Sequence, residues 1–296
     1  MSKITIGILS YNHEDFIEAS ILSALNLKFG NLEIIISDDC SKDKTVDVVK
    51  KILANTPTIH TVIFNQNETN LGLAGNFNKT FYELASGDFL ITLGGDDYLT
   101  TDYMENALNY FKRDESLMMI DFTSNLIINN EISPAAPLNF DEKSHDINDY
   151  LDLKPISSFA PGRIFRRQLI SGYAPLSLRC PTEDSVLVNR ALLSGKLLRL
   201  NRNVLNYRKH LNNLSSKKNL KTLSTISIIS QYISDSIHLY NNNQLNDLQL
   251  TGILKRYRYE LKKRNIRYTD LHFYLKVILQ KLLKTSYLIT KKKHFA

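Results

Sequence analysis

The chain has 296 residues, is 43% hydrophobic and 23% charged, and carries a net charge of +7. That length suits one large α/β domain with an appendage, and the composition is that of a soluble globular protein. Two cysteines, Cys40 and Cys180, give no disulfide framework and suit a reducing cytosol. No apolar run approaches the roughly 20 residues that span a bilayer, and the apolar stretch at 4–9 is too short for a secretory signal.

The charge is unevenly spread. Residues 1–200 carry 18 Lys and Arg against 26 Asp and Glu, a net −8, whereas residues 201–296 carry 19 against 4, a net +15. A basic tail suggests an anionic partner such as a membrane surface, a nucleic acid or a phosphorylated substrate. No zinc-finger or aromatic RNA-binding module is visible, which disfavours nucleic acid.

In chain order, residues 3–9 form an apolar, β-prone run that ends in Ser10-Tyr11-Asn12, and His13-Glu14-Asp15 opens a helix with Ile17, Ile21, Ala24 and Leu25 on one face. A second strand over 32–36 ends in Ser37-Asp38-Asp39, and a helix over 44–54 turns Val46, Val49 and Leu53 inward. A third strand covers 59–64. The loop from Asn70 to Asn76 enters a helix that runs to about Ala85.

The stretch from Ser86 to Leu99 is the centre of the pattern. Phe89-Leu90-Ile91-Thr92-Leu93 reads as a strand buried in a parallel sheet, Gly94-Gly95 permits a sharp turn, and Asp96-Asp97 follows. Two adjacent carboxylates repel each other unless a cation lies beside them, and Asp and phosphate oxygens are hard ligands suited to Mg or Mn.

A helix over 102–111 and a strand over 117–122 come next. The repeated β-α-β order predicts a parallel, doubly wound sheet, with the carboxyl end of every strand on one rim. Ser10–Asn12, Ser37–Asp39 and Asp96-Asp97 all fall on that rim, the pattern of a ligand site. Periodicity breaks down over 129–154, which reads as an irregular insertion, and residues 161–167 read as a short basic strand or turn. Thr182-Glu183-Asp184 opens a further helix, a short strand covers 196–200, and Tyr207-Arg208-Lys209-His210 is a polar segment. Past residue 215 the chain turns helical and basic. Leu271, Tyr274, Leu275, Ile278, Leu279, Leu282 and Leu283 form an apolar stripe beside Lys276, Lys281 and Lys284. It reads either as a helix packed on the domain or as a peripheral anchor on anionic lipid.

The order of these clusters resembles the family 2 glycosyltransferases. The matching pieces are Ser10-Tyr11-Asn12, Ser37-Asp38-Asp39, Asn70-Leu71-Gly72 with Asn76, Ser86-Gly87-Asp88, Gly95-Asp96-Asp97, Thr182-Glu183-Asp184, and Tyr207 to His210 with Asn213 and Ser215. The resemblance covers about residues 3–215. It implies a GT-A fold, a Rossmann-like, mostly parallel sheet with helices on both faces, over 1–215, followed by a helical basic extension over 216–296.

The resemblance also implies an inverting transferase that moves a sugar from a nucleotide-sugar, expected to be a UDP-sugar, to a glycan or lipid-linked oligosaccharide in bacterial surface-polysaccharide assembly. Ser10, Tyr11, Asn12, Asp39, Asn70, Asn76 and Asp96 would bind the nucleotide. Asp97, Asp96 and His210 would hold a divalent metal, Mn or Mg. Asp184 would be the general base, with Glu183 as the alternative. The expected location is the cytoplasm, at the inner face of the membrane. The chain departs from the family at Gly75, where many members carry a basic residue, and in having no tryptophan. The rival readings are a non-catalytic sugar-binding or scaffold protein on the same fold, and a nucleotidyltransferase. The latter usually has a Gly-rich basic loop where this chain has the acidic 10–15 segment.

Overall fold

The structure is a computed structural model that describes residues 2–134, 136–210, 213 and 225–263. Its first half is the expected βα repeat. β1 (Ile4–Ser10), β2 (Leu32–Asp38), β3 (Thr61–Gln66) and β4 (Phe89–Gly94) lie parallel in the order β3-β2-β1-β4. They are joined by α1 (Ile17–Leu25), α2 (Thr45–Asn55) and α3 (Gly72–Asn78), which runs on as a π-helical turn over Lys79–Leu84.

The strands are apolar on both faces because helices cover both. Ile4, Ile6, Ile8, Ile34 and Ile36 pack with α1 and α2 in one cluster. Leu9, Ile35 and Leu90 pack with Ala74, Phe77 and Phe81 in the other. Gly7 permits this second packing: a Cβ there would lie 2.5 Å from the Phe81 ring.

At the foot of these strands Glu33 gathers four donors. Lys3 Nζ (2.7 Å), Thr5 Oγ1 (2.6 Å) and the Ser86 amide (2.8 Å) point at its carboxylate, as does the Ser86 hydroxyl. The Ser86-Gly87-Asp88 segment therefore fastens the base of the sheet. It lies at the end opposite the polar rim.

The second half comprises β5 (Tyr98–Leu99), α4 (Met104–Arg113), β6 (Leu117–Ile128), β7 (Glu131–Pro134), β8 (Glu142–His145), α5 (Ile147–Leu151), β9 (Ile164–Arg166), α6 (Gln168–Ser171), α7 (Asp184–Ser194), β10 (Lys196–Lys209), α8 (Thr225–Asn241) and α9 (Asp247–Lys263). The sheet continues from β4 as β9-β6-β10-β5. Here the mostly parallel sheet takes in antiparallel strands: β9 is antiparallel to both β4 and β6. This three-residue strand acts as a plug, with Ile164 in one apolar cluster and Phe165 in the other.

Two more segments differ from the sequence reading. The irregular 129–154 insertion contains β7, paired on β6, then β8, paired on β10, and α5. The short strand at 196–200 is the start of the 14-residue β10, whose register shifts carry it past β6 and on to Lys209.

The two C-terminal helices share the second apolar cluster. Ile229, Ile233, Ile253 and Tyr257 join Leu187, Ala191 and Tyr150 there. A buried ion pair fixes α8 to α7: Arg190 Nε lies 2.7 Å from Asp235 Oδ2, and Gln231 Nε2 donates to Asp235 Oδ1. The basic stripe at 271–284 lies outside the described residues.

Candidate active site

The eleven site residues expected from the sequence come from seven separate segments, and all of them line one cleft of about 1660 Å3 at the carboxyl rim of the sheet. At its β1–β2 side, Asn12 turns with φ 56°, a left-handed conformation that asparagine tolerates. Its side chain accepts from the Lys42 amide and its own amide donates to Ser41 Oγ, both at 2.8 Å, which ties the two rim loops together. Tyr11 is exposed, and the buried Ser10 hydroxyl has no hydrogen-bond partner.

Asp39 is buried, and its Oδ1 accepts from the Leu71 amide (2.8 Å) and from Asn67 Nδ2 (3.0 Å). Asn76 is buried behind it. Its amide bonds Ser37 through both ends and accepts from Asn67. Asn70 Oδ1 accepts from the Gly72 amide, which shapes the start of α3. Asn76 and Asn70 thus reach the cleft as the scaffold of the Asp39 pocket. Asn67, which links Asp39 to Asn76, was not apparent in the sequence, where it lies in an unpatterned loop.

At the centre, the backbone after β4 folds so that the Gly95 amide donates to Leu9 O and the Asp97 amide to Gly94 O. Asp96 Oδ2 meets His210 Nε2 at 3.0 Å and accepts from Asn213 Nδ2 at 2.9 Å. Asp97 Oδ1 accepts from the Arg208 amide at 2.9 Å. The His210 ring stacks on Phe16, centroids 5.0 Å apart, and the Arg208 guanidinium covers the same Phe16 ring.

Burial works against both acidic side chains. For Asp96 burial is the largest single influence, but the His210 hydrogen bond, the His13 and His210 charges and a backbone hydrogen bond together outweigh it and hold the carboxyl below its ordinary range. Asp97 is pushed well above that range by burial and by the neighbouring Asp96 charge. A buried acid raised in this way, beside a second carboxylate, is a site short of positive charge. Among the described residues, no group of three or more His, Cys, Asp or Glu side chains forms a ready cage for a metal. Asp96, Asp97 and His210 instead supply two carboxylates and an imidazole at one place.

Across the cleft, Glu183 and Asp184 start α7. Glu183 is buried, its Oε2 has no hydrogen-bond partner among the described residues, and burial together with the Asp184 charge raises its pKa well above the ordinary value. Asp184 keeps about half of its side chain open, at 48% exposure. Burial raises it too, but the Arg163 guanidinium opposes the shift. Arg163 is itself fully buried and forks onto Asp121, with Nε–Oδ1 and Nη2–Oδ2 both 3.0 Å, while Nη1 donates to the Asp184 carbonyl at 2.8 Å. In the sequence Arg163 stands in a short basic segment, with no sign of Asp121 as its partner, 42 residues away.

The glycosyl transferase family 2 profile matches residues 5–170, more than half of the chain. The chain belongs to glycosyl transferase family 2. An uncharacterised glycosyltransferase of Haemophilus influenzae is 32% identical over 118 residues, 40% of this chain and 46% of that protein. The Escherichia coli UDP-Glc:alpha-D-GlcNAc-diphosphoundecaprenol beta-1,3-glucosyltransferase WfaP is 33% identical over 115 residues, 39% of this chain and 43% of that protein. The aligned segment therefore spans less than half the length of these relatives.

Among solved structures, Staphylococcus aureus TarS 1–349 in complex with UDP-GlcNAc superposes with a TM-score of 0.60 at 19% identity, over 86% of this chain and 72% of that one. The mannosyltransferase PcManGT of Pyrobaculum calidifontis, in complex with GDP-Man and Mn2+, superposes at 0.56 with 14% identity, over 87% and 69%. The family 2 chain thus has the GT-A architecture, a curled α/β sheet between helices. The poly(ribitol-phosphate) beta-N-acetylglucosaminyltransferase TarS of Staphylococcus aureus is also a sequence relative, 24% identical over 201 residues, 66% of this chain and 33% of that protein. No helix among the described residues is long and apolar enough to cross a membrane.

Proposed function

We propose that this family 2 chain is an inverting glycosyltransferase that uses a nucleotide-diphosphate sugar, with UDP as the carrier. The observation that carries the reading is the convergence, in one cleft, of the Asp39 pocket, the Asp96-Asp97 pair and the Glu183-Asp184 pair. Ser10, Tyr11, Asn12 and Asp39 would seat the nucleobase, with Asn70 and Asn76 shaping its pocket and Asp96 next to the ribose. The WfaP relative uses UDP-Glc and the TarS structure holds UDP-GlcNAc, which supports uridine as the base.

Asp96, Asp97 and His210 would hold a divalent cation, Mn or Mg, completed by substrate phosphates rather than by a closed protein cage. When bound, such a cation supplies Lewis-acid neutralisation of the leaving diphosphate. The acceptor hydroxyl gives its proton to Asp184 as its oxygen bonds to the anomeric carbon. The bond from that carbon to the diphosphate oxygen breaks on the opposite face, and its electron pair leaves with the nucleotide.

Asp184 suits the role of base better than Glu183. Burial raises both acids, but at Asp184 the Arg163 guanidinium opposes the shift, whereas Glu183 is pushed well above its ordinary value by burial and by the Asp184 charge. We assign donor binding and catalysis to residues 1–215, and to 216–296 a supporting role that brings the enzyme to the inner membrane face, where a lipid-linked glycan would be the acceptor.

Calorimetry of UDP with and without Mn2+ on the wild type and Asp97→Ala tests this reading. Metal-dependent binding that disappears in the variant is expected. A well-folded wild type that binds neither UDP nor dTDP would overturn it.

A further inference from the structure

Strand β6 carries one acid, Asp121, between Ile120 and Phe122 in its buried stretch. A carboxylate enclosed in this way is costly unless its oxygens are answered. They take three donors. Arg163 Nε meets Oδ1 and Arg163 Nη2 meets Oδ2, both at 3.0 Å, and the Phe159 amide donates to Oδ2 at 2.8 Å. A guanidinium forked on a carboxylate fixes the geometry of both groups.

Each donor leads to the cleft. Arg163 Nη1 donates to the Asp184 carbonyl at 2.8 Å and lies 3.9 Å from Asp184 Oδ1. Arg163 Nη2 also reaches Ser158 Oγ at 3.2 Å. Ser158, Phe159 and Asp184 all line the cleft. One carboxylate in the sheet therefore holds both the start of α7 and the adjoining wall at 158–163.

Stability is a weak reason for such a pair, because well-packed apolar residues of similar volume often do as well. Placement is a stronger one. A proton acceptor works only within hydrogen-bond reach of the proton it takes, and a misplacement of about 1 Å can cost about 100-fold in rate.

We propose that Asp121 is a positioning residue for the transfer step: through Arg163 it holds Asp184 in place, and through the Phe159 amide it holds the neighbouring cleft wall against the same strand. The proposal rests on the glycosyltransferase reading, in which Asp184 is the base.

The charges around Asp184 give the proposal a signature. Arg163 favours the ionised carboxylate, and Asp121, behind it, opposes that. Glu183 stands beside Asp184 at the same helix start. Arg199 of β10 faces Asp121 and Arg163. Arg256 and Glu260 of α9, on the same cleft, pair with each other at 2.9 Å.

The test is a 13Cγ NMR titration of the aspartates in the full chain, with the Asp184 signal identified by its loss in Asp184→Asn. Asp121→Asn keeps the shape of the fork but leaves the Arg163 charge to Asp184, so the Asp184 midpoint should fall by about one pH unit. Asp121→Leu with Arg163→Met removes the guanidinium, so the midpoint should rise above the wild type by about as much. Arg163→Lys keeps the charge and should stay near the wild type. The double variant strands no charge and is expected to fold, which thermal melting checks, so it decides alone if Asp121→Asn does not fold.

In the double variant, amide hydrogen exchange at 157–161 and at the first turn of α7 should quicken about tenfold. Midpoints that stay put or move the same way in both variants would overturn the proposal, as would unchanged exchange in a folded double variant. UDP calorimetry runs beside these measurements. A wild type that binds no UDP, with midpoints that still move in opposite directions, would strike the glycosyltransferase reading and leave Asp121 in control of Asp184.

Discussion

The two walls of the cleft are built by different rules. On the β3-β2-β1-β4 side, each polar group stands within a few residues of the end of a buried parallel strand: Ser10 and Asn12 after β1, Asp39 after β2, Asp96 and Asp97 after β4. On the far side, Arg163, Glu183, Asn189, His210 and Arg256 arrive from the turn before β9, from the start and middle of α7, from the end of a bulged strand and from the C-terminal helices. The first wall is fixed by local chain direction. The second depends on contacts between residues tens of positions apart, so it can vary while the first is kept.

The largest effect expected across this divide is chemical. Asp184→Asn should lower UDP release from the donor about 10²–10⁴-fold, the usual contribution of a positioned base, and leave calorimetric UDP binding as it is. If Glu183→Gln were the more damaging change, the two roles would have to be exchanged.

The next effect is on stability and is confined to the far wall. Asp235→Ala strips the buried Arg190 of its counter-charge and should cost about 3–5 kcal/mol in denaturant unfolding. The double change Arg190→Met with Asp235→Leu should recover most of that loss, because an apolar pair leaves no charge stranded. A double variant as unstable as the single one would show that the geometry of the fork, and not the stranded charge, matters.

The smallest effect belongs to the foot of the first wall. Burial alone would raise the Glu33 carboxyl, yet the hydrogen bonds from Lys3, Ser86 and Thr5 bring it down to about 2, from an ordinary value near 4.5. A carboxyl depressed on folding adds stability above its unfolded pKa and loses it as the pH falls through the folded one. Glu33→Gln should therefore cost about 1–3 kcal/mol at neutral pH. The gap to the wild type should close as the pH drops from 4.5 toward 2. A gap independent of pH would mean that shape, and not charge, is what Glu33 contributes.

The same contrast explains what could be read without coordinates. Strands β1, β2 and β4 and the residues just after them were legible because burial on both faces leaves an unbroken apolar run, and the polar residues that follow mark the rim. Strand β9 was legible only as a strand or a turn: three residues carry no period, and its antiparallel direction is set by Phe89, Leu90, Ile91, Met119 and Ile120, none of them nearby in sequence. The length of β10 was hidden by its register shifts, which break the alternation between Arg199 and Leu205. Glu183 and Asp184 could be placed in the site by resemblance, but the Asp121–Arg163 fork that sets their environment could not. Nor could the packing behind them, where α8 lies on α7 and α9 on α5 and α8.

The Arg190–Asp235 pair also has a consequence for how the protein is made. Arg190 leaves the ribosome 45 residues before its counter-ion, a delay of roughly 2–9 s at ordinary elongation rates. Until Asp235 emerges, the helix that begins at Glu183-Asp184 carries a cation it cannot bury, and the wall of the cleft stays open. The wall built on β3-β2-β1-β4 closes on contacts within the first hundred residues, while the far wall must wait for the C-terminal helices.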